Sequence, residues 1–182
     1  MAVAFPEETL AALDRLRGEY PDGRSLLIPT LKLAQAEFGH LSAEVLAYVA
    51  DLLDVPESVA AGVATFYHNF FTDSCGRHVI QVCRTLSCEL AGGREIANRF
   101  KELLDIDLGE TTGDGLVTLR STECLASCGT APAVLIDDDY FEQLDSAACD
   151  EIVRALRAGE RPPGGSGVPG GEPEAGRKGS GA

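Results

Sequence analysis

The chain has 182 residues, enough for one ordinary domain and a smaller companion, and 45% of them are hydrophobic, as a packed core requires. A formal net charge of −14, from 29 acidic and 15 basic residues, repels phosphate backbones and argues against a nucleic-acid partner. No apolar run approaches the roughly 20 residues that span a bilayer, and the start, Met1-Ala-Val-Ala-Phe-Pro-Glu-Glu, has neither the basic nor the long apolar stretch of a signal peptide. A cytoplasmic chain without membrane insertion is therefore expected. There, six cysteines read as metal or redox groups in preference to disulfides.

The first 73 residues predict four short helices packed as a bundle, since none is long enough to stand alone. The first follows Pro6-Glu-Glu, carries Leu10, Leu13 and Leu16, and stops at Gly18. The second runs from about Ile28 to Phe38, with Gly39 as its C-terminal cap. Ser42 caps the third, whose apolar residues are Val45, Leu46, Val49 and Leu52 or Leu53. Pro56 opens the fourth.

After Asp73 the pattern changes. His78–Cys83 is β-branched and bounded by Gly76, so it predicts a strand. A helical period from Cys88 to Leu104 follows, with Leu90, Ile96, Phe100 and Leu103 on one side and Gly92-Gly93 weakening its first turns. Leu116–Arg120 predicts a second strand, completing a β-α-β unit. Ala133–Ile136 and Tyr140–Leu144 form a hairpin around Asp137-Asp-Asp139, and Ser146 caps a last helix closed by Gly159. This order, β-α-β, β-β, α, is that of a small thioredoxin-like sheet. The fold class is mixed α and β: a helical bundle over 1–73, a thioredoxin-like domain over 74–159, and a Gly/Pro-rich tail over 160–182 expected to be disordered.

Four cysteines carry the chemistry: Cys83-x4-Cys88 and, after 35 intervening residues, Cys124-x3-Cys128. Cys83 ends the first predicted strand, and Cys124 and Cys128 follow the second. If the two strands are parallel, both loops leave the same edge of the sheet and the four thiols converge, as sites do at the carboxyl ends of α/β strands. Four thiolates from two loops complete the coordination of a [2Fe–2S] cluster, two per iron. Ser87, Gly129 and Thr130 are expected to offer hydrogen bonds to its sulfurs. Zinc also accepts four thiolates at these spacings, which leaves a structural zinc module as an alternative. A redox dithiol is the weaker third reading, because C-x-x-C is missing.

Gln81-Val-Cys-Arg-Thr-Leu-Ser-Cys-Glu-Leu-Ala-Gly-Gly93 and Glu123-Cys-Leu-Ala-Ser-Cys-Gly-Thr-Ala-Pro-Ala133 resemble the E-subunit family of bacterial NADH:quinone oxidoreductase, the thioredoxin-like ferredoxin subunits of respiratory complex I. The likeness extends to Tyr20-Pro-Asp-Gly-Arg-Ser, Ile28-Pro-Thr-Leu, Phe38-Gly-His, Val63-Ala-Thr-Phe-Tyr67 and Asp137-Asp-Asp-Tyr-Phe-Glu142, and covers about residues 8–158. It implies one [2Fe–2S] cluster on Cys83, Cys88, Cys124 and Cys128. It also implies a larger partner subunit that binds NADH and FMN and sits on the cytoplasmic side of a membrane complex. Similar subunits occur in the diaphorase parts of NAD-linked hydrogenases and formate dehydrogenases. Gly129-Thr-Ala-Pro departs from the family's more usual Val-Asn-Ala-Pro, a change expected around the cluster and not in its ligands.

No G-x-G-x-x-G after a strand and no P-loop is present, so nucleotide binding is not assigned to this chain. No acid–base or nucleophilic catalytic residue is assigned either. Cys149 reads as a core residue and Cys75 as a loop cysteine outside the site. His40, His68 and His78 show no metal spacing. Phe66, Tyr67, Phe70 and Phe71 form an aromatic run, read either as core packing or as a docking surface for the flavin subunit. Pro132, ahead of the third strand, is expected in the cis form that thioredoxin-like folds often have there.

Overall fold

Four helices build the first unit of the chain: α1 (Glu7–Arg17), α2 (Leu27–Phe38), α3 (Ala43–Leu53) and α4 (Glu57–Phe66). The computed structural model describes residues 3–167, divided between a unit that ends at Ser74 and a second that begins at Cys75. The helices begin and end where local chemistry requires. Ser42 Oγ accepts from the Val45 N–H at 3.3 Å, satisfying a donor that has no partner within α3. Gly39 ends α2 with φ at 79°, a conformation that costs glycine little. Leu13, Leu27, Leu31, Ala34, Leu41 and Val49 form the centre of this unit's core. Gln35 stitches the segment after α4 back onto α2, its Nε2 donating to Asn69 O (2.8 Å) and its Oε1 accepting from Phe71 N (2.7 Å).

The second unit is built on a sheet of order β2-β1-β3-β4-β5. β1 (His78–Cys83) lies at its centre, parallel to β2 (Val117–Thr122) and antiparallel to β3 (Val134–Ile136). β4 (Asp139–Phe141) and β5 (Ser166–Gly167) continue the antiparallel side. Ile80, Val82, Leu119, Val134 and Ile136 pack against Ile96, Phe100 and Leu104 of α6 (Gly93–Leu104) and Ile152, Val153 and Leu156 of α7 (Ser146–Ala158). Burying one such side chain contributes about 1.5–3 kcal/mol, so this layer holds the sheet against its helices. Cys83, Ala133 and Leu135 belong to a separate apolar cluster with Cys88 and Leu125.

Several expectations are corrected. The single helix expected from Cys88 to Leu104 is two, α5 (Leu86–Leu90) and α6, separated at Ala91 and Gly92, where φ reaches 98°. Leu90 therefore leaves the buried stripe of α6 and is 80% exposed. The second strand starts at Val117 and reaches Thr122, and the hairpin strand ends at Phe141, short of Leu144. Asp145 caps α7 in place of Ser146, its Oδ1 accepting from Ala148 N at 2.8 Å.

The tail expected to lack structure from residue 160 is ordered through residue 167. Arg161 makes two hydrogen bonds to the Asp139 carboxylate, and β5 pairs with β4. Backbone pairing and one ion pair do this without any apolar period, which is why composition did not reveal it. Residues 168–182, the rest of that expected tail, lie outside the described residues. No helix among the described residues is long and apolar enough to cross a membrane.

Candidate iron–sulfur site

Parallel pairing of β1 and β2 brings the two cysteine-bearing loops to one edge of the sheet. Cys83 is the last residue of β1 and lies opposite Thr122, the last of β2. The chain leaves both strands at one edge: into α5, which carries Cys88, and into the loop of Cys124, which reaches the 3-10 turn Cys128–Thr130. Arg84 and Glu123, the neighbours of Cys83 and Cys124, form an exposed ion pair across the loops, with Nε to Oε1 at 3.0 Å. The Arg84 N–H also donates to Thr122 O at 3.1 Å. These contacts keep the two cysteine loops in register.

Gly93 allows a further close approach. A Cβ built there would lie 2.8 Å from Cys88 O and 3.2 Å from Cys83 O, so only glycine lets α6 start against both carbonyls. The peptide bond between Ala131 and Pro132, before β3, is cis.

The thiols differ in setting. Cys83 and Cys88 are buried, whereas Cys124 and Cys128 are exposed. Burial pushes the Cys83 thiol up, but the N–H groups of Thr85 and Leu125, together with the Cys88 and Thr85 side chains, hold it below the ordinary cysteine range. Cys88 moves the other way: burial raises it, and the charges of Cys83 and Cys128 add to that despite an N–H from Ala133. Ala126, with φ at 63°, turns its N–H onto Cys124 Sγ at 3.3 Å.

The donors to sulfur are thus Thr85, Leu125, Ala126 and Ala133, not the expected Thr130. Thr130 directs its N–H to Ser127 O (3.1 Å) and its hydroxyl to Glu142 Oε1 (2.5 Å). Sequence spacing carries no signal for these donors, because the direction of a backbone N–H is set by local dihedrals. One polar group near the cysteines lacks a partner: Thr122 Oγ1 is buried and makes no hydrogen bond.

Soft thiol donors in two pairs, lined by N–H groups, fit an anionic binuclear iron–sulfur group. No three His, Cys, Asp or Glu side chains among the described residues converge as a ready single-ion site.

Within the second unit, Cys75, Cys149 and His78 lie away from this edge. Cys75 precedes β1, whose five steps from His78 to Cys83 span about 17 Å at 3.3 Å per residue. Cys149 is fully buried under the sheet, its thiol pushed up to about 12 by burial and by Asp150 and Asp145. His78 Nδ1 sits 2.7 Å from Asp137 Oδ2, whose other oxygen accepts from Val79 N (2.9 Å). The aromatic run divides: Phe70 and Phe71 are buried, while Phe66 is 79% exposed and meets Tyr67 edge to face at 5.0 Å. Phe70 and Phe71 are therefore not docking residues. Leu86 and Leu90, one turn apart on α5 with buried Cys88 between them, are exposed beside the site and were missed because the helix break was.

A mixed sheet with a cysteine loop at the end of each of two parallel strands defines a thioredoxin-like iron–sulfur protein. Residues 13–157 match the family described as thioredoxin-like [2Fe-2S] ferredoxin, and the chain belongs to that family, whose cofactor is a [2Fe–2S] cluster. It is 42% identical over 155 residues to E-subunit 2 of the NADH-quinone oxidoreductase of Rhizobium meliloti, covering 85% of this chain and 90% of that one. It is 37% identical over 159 residues to NADH-quinone oxidoreductase subunit 2 of Thermus thermophilus, covering 86% and 84%. Among solved structures, an NAD+-reducing [NiFe]-hydrogenase in the H2-reduced state matches with TM-score 0.63 and 27% identity, over 73% of this chain and 22% of that one.

Proposed function

We propose that the chain is an electron-transfer subunit of NADH:quinone oxidoreductase, respiratory complex I, holding one [2Fe–2S] cluster through Cys83, Cys88, Cys124 and Cys128. The observation that carries this is the parallel register that ends β1 and β2 together, Cys83 opposite Thr122, with a cysteine loop leaving each strand. When bound, the cluster supplies one-electron storage. The protein's part is to offer four thiolates, to aim N–H groups at sulfur, and to bury one cysteine pair. Those N–H groups favour negative charge and so favour the reduced state. No residue here performs hydride chemistry. That reaction belongs to a partner subunit carrying NADH and flavin, from which this chain accepts electrons.

Identities of 42% and 37% to oxidoreductase subunits, against 27% to the hydrogenase, support the complex I reading over the equivalent diaphorase subunit. The helical unit ending at Ser74 and the ferredoxin unit from Cys75, which runs on through β5, sit in the peripheral arm on the cytoplasmic side. Phe66 and Tyr67 are exposed and contribute to the contact with the flavin subunit. Anaerobic reduction should give one rhombic EPR signal per chain, lost in Cys→Ser variants of the four ligands and kept in Cys75→Ser and Cys149→Ala. Zinc in place of iron and acid-labile sulfide would overturn the reading. A Phe66→Asp, Tyr67→Asp double variant should keep its cluster and fail to copurify with the flavin subunit.

A further inference from the structure

Thr122 is 4% exposed, and its Oγ1 is the one buried side-chain oxygen or nitrogen among the described residues without a hydrogen-bond partner. Its neighbours show that the fold can satisfy such groups. Thr118, four residues earlier on the same face of β2, accepts from Gly76 N at 2.7 Å and meets Thr111 Oγ1 at 2.7 Å. Thr30, equally buried, donates to Leu26 O at 2.8 Å. An orphaned hydroxyl is destabilising in the protein alone, so its position calls for a reason.

Its position is specific. Thr122 lies opposite Cys83 in the parallel register, and residues paired in register send their side chains to the same face of a sheet. The orphaned hydroxyl is therefore beside the most buried end of the cysteine site. A hydroxyl is a donor as well as an acceptor, and sulfur bearing negative charge accepts.

We infer that the Thr122 hydroxyl is a tuning donor, kept for a sulfur of the iron–sulfur group on its Cys83 side. The inference rests on the four cysteines being cluster ligands. A donor aimed at that sulfur favours the extra negative charge of the reduced state and raises the reduction potential. The residue touches no substrate; it sets how readily the electron is held.

The full chain, as wild type, Thr122→Val and Thr122→Ser, is reconstituted with iron and sulfide and titrated by EPR-monitored redox potentiometry. Unfolding of each metal-free chain is measured alongside. Valine keeps the shape without the hydroxyl, and serine keeps the hydroxyl. Thr122→Val is expected to shift the midpoint to more negative potential, with Thr122→Ser close to wild type. The metal-free Thr122→Val chain should be no less stable than wild type, because it removes a group that had no partner. A merely structural threonine would give the opposite pattern: lower stability in the valine variant and an unchanged potential. An unchanged midpoint in Thr122→Val, or equal shifts in both variants, overturns the inference while the wild-type signal leaves the function standing. A wild-type chain that takes up no cluster removes both.

Discussion

Replacing Gly93 with alanine puts a methyl group 2.8 Å from Cys88 O, 3.0 Å from Cys88 C and 3.2 Å from Cys83 O, all backbone atoms that cannot rotate away. Ordinary contact starts at 3.4 Å, so the start of α6 or the cysteine loop must move by roughly half an ångström. Such overpacking costs about 1–3 kcal/mol. Alanine regains about 1 kcal/mol of helix propensity at the first residue of α6, which leaves a net loss of at most about 2 kcal/mol. Stability alone is thus a weak reporter, whereas displaced backbones at Cys83 and Cys88 should act directly on cluster retention under the proposed ligation.

Gly76→Ala is the matched control. Its Cβ would stand 3.0 Å from Gly115 O and from Val117 N and C, but it precedes β1, at the end away from the cysteines. The assay is iron release to a chelator, followed by visible absorbance, with the EPR line shape of the reduced protein. Gly93→Ala should release iron at least several-fold faster with an altered line shape, and Gly76→Ala should lower the unfolding midpoint with the line shape kept. Equal release rates in the two variants, or a wild-type spectrum in Gly93→Ala, would refute the assignment of Gly93 to ligand spacing.

Other outcomes follow from single contacts. Hydrogen bonds from the Thr130 and Ser127 hydroxyls hold the Glu142 carboxyl below its ordinary value, tying the hairpin to the loop of Cys128. A depressed carboxyl contributes stability above its unfolded value and loses it as pH falls through the folded one. The Thr130 amide resonance should therefore titrate in the acid range, and a Glu142→Ala chain that titrates alike would disprove the link. Cys149, with its thiol at about 12, should resist iodoacetamide at pH 8 in the folded protein and react on unfolding; native labelling would contradict its burial. Arg161→Glu with Gly165→Val should detach residues 161–167, because it sets a like charge on Asp139 and a side chain into Phe141. Ser166–Gly167 pairs with β4, so faster hydrogen exchange across residues 166–167 is the reporter, and unchanged protection would show that the strap is not held by these contacts.

The extent to which the sequence was legible follows from the range of each interaction. Ser42, Gly39 and Gly159 mark helix ends through contacts within a turn, and they appear in the structure where a linear reading puts them. The continuous run His78–Cys83 is a strand buried on both sides, again a local pattern. Leu90 misled because an apolar period cannot register the turn at Ala91 and Gly92 that rotates it out to solvent. Phe66 through Phe71 looked like one aromatic group, but α4 ends at Phe66 and the chain that follows buries only the last two phenylalanines.

By itself the sequence determined the elements, the two cysteine pairs and, through their flanking residues, the family. It could do so because capping, periodicity and ligand spacing are properties of neighbouring residues. Only the tertiary structure decided which N–H groups face sulfur, that Gly93 must lack a side chain, that a tail segment closes the sheet, and that Thr122 lies beside Cys83 with its hydroxyl unused. These features depend on strand register and loop dihedrals, as where Cys83 meets Thr122 across 39 positions, and they leave no local trace.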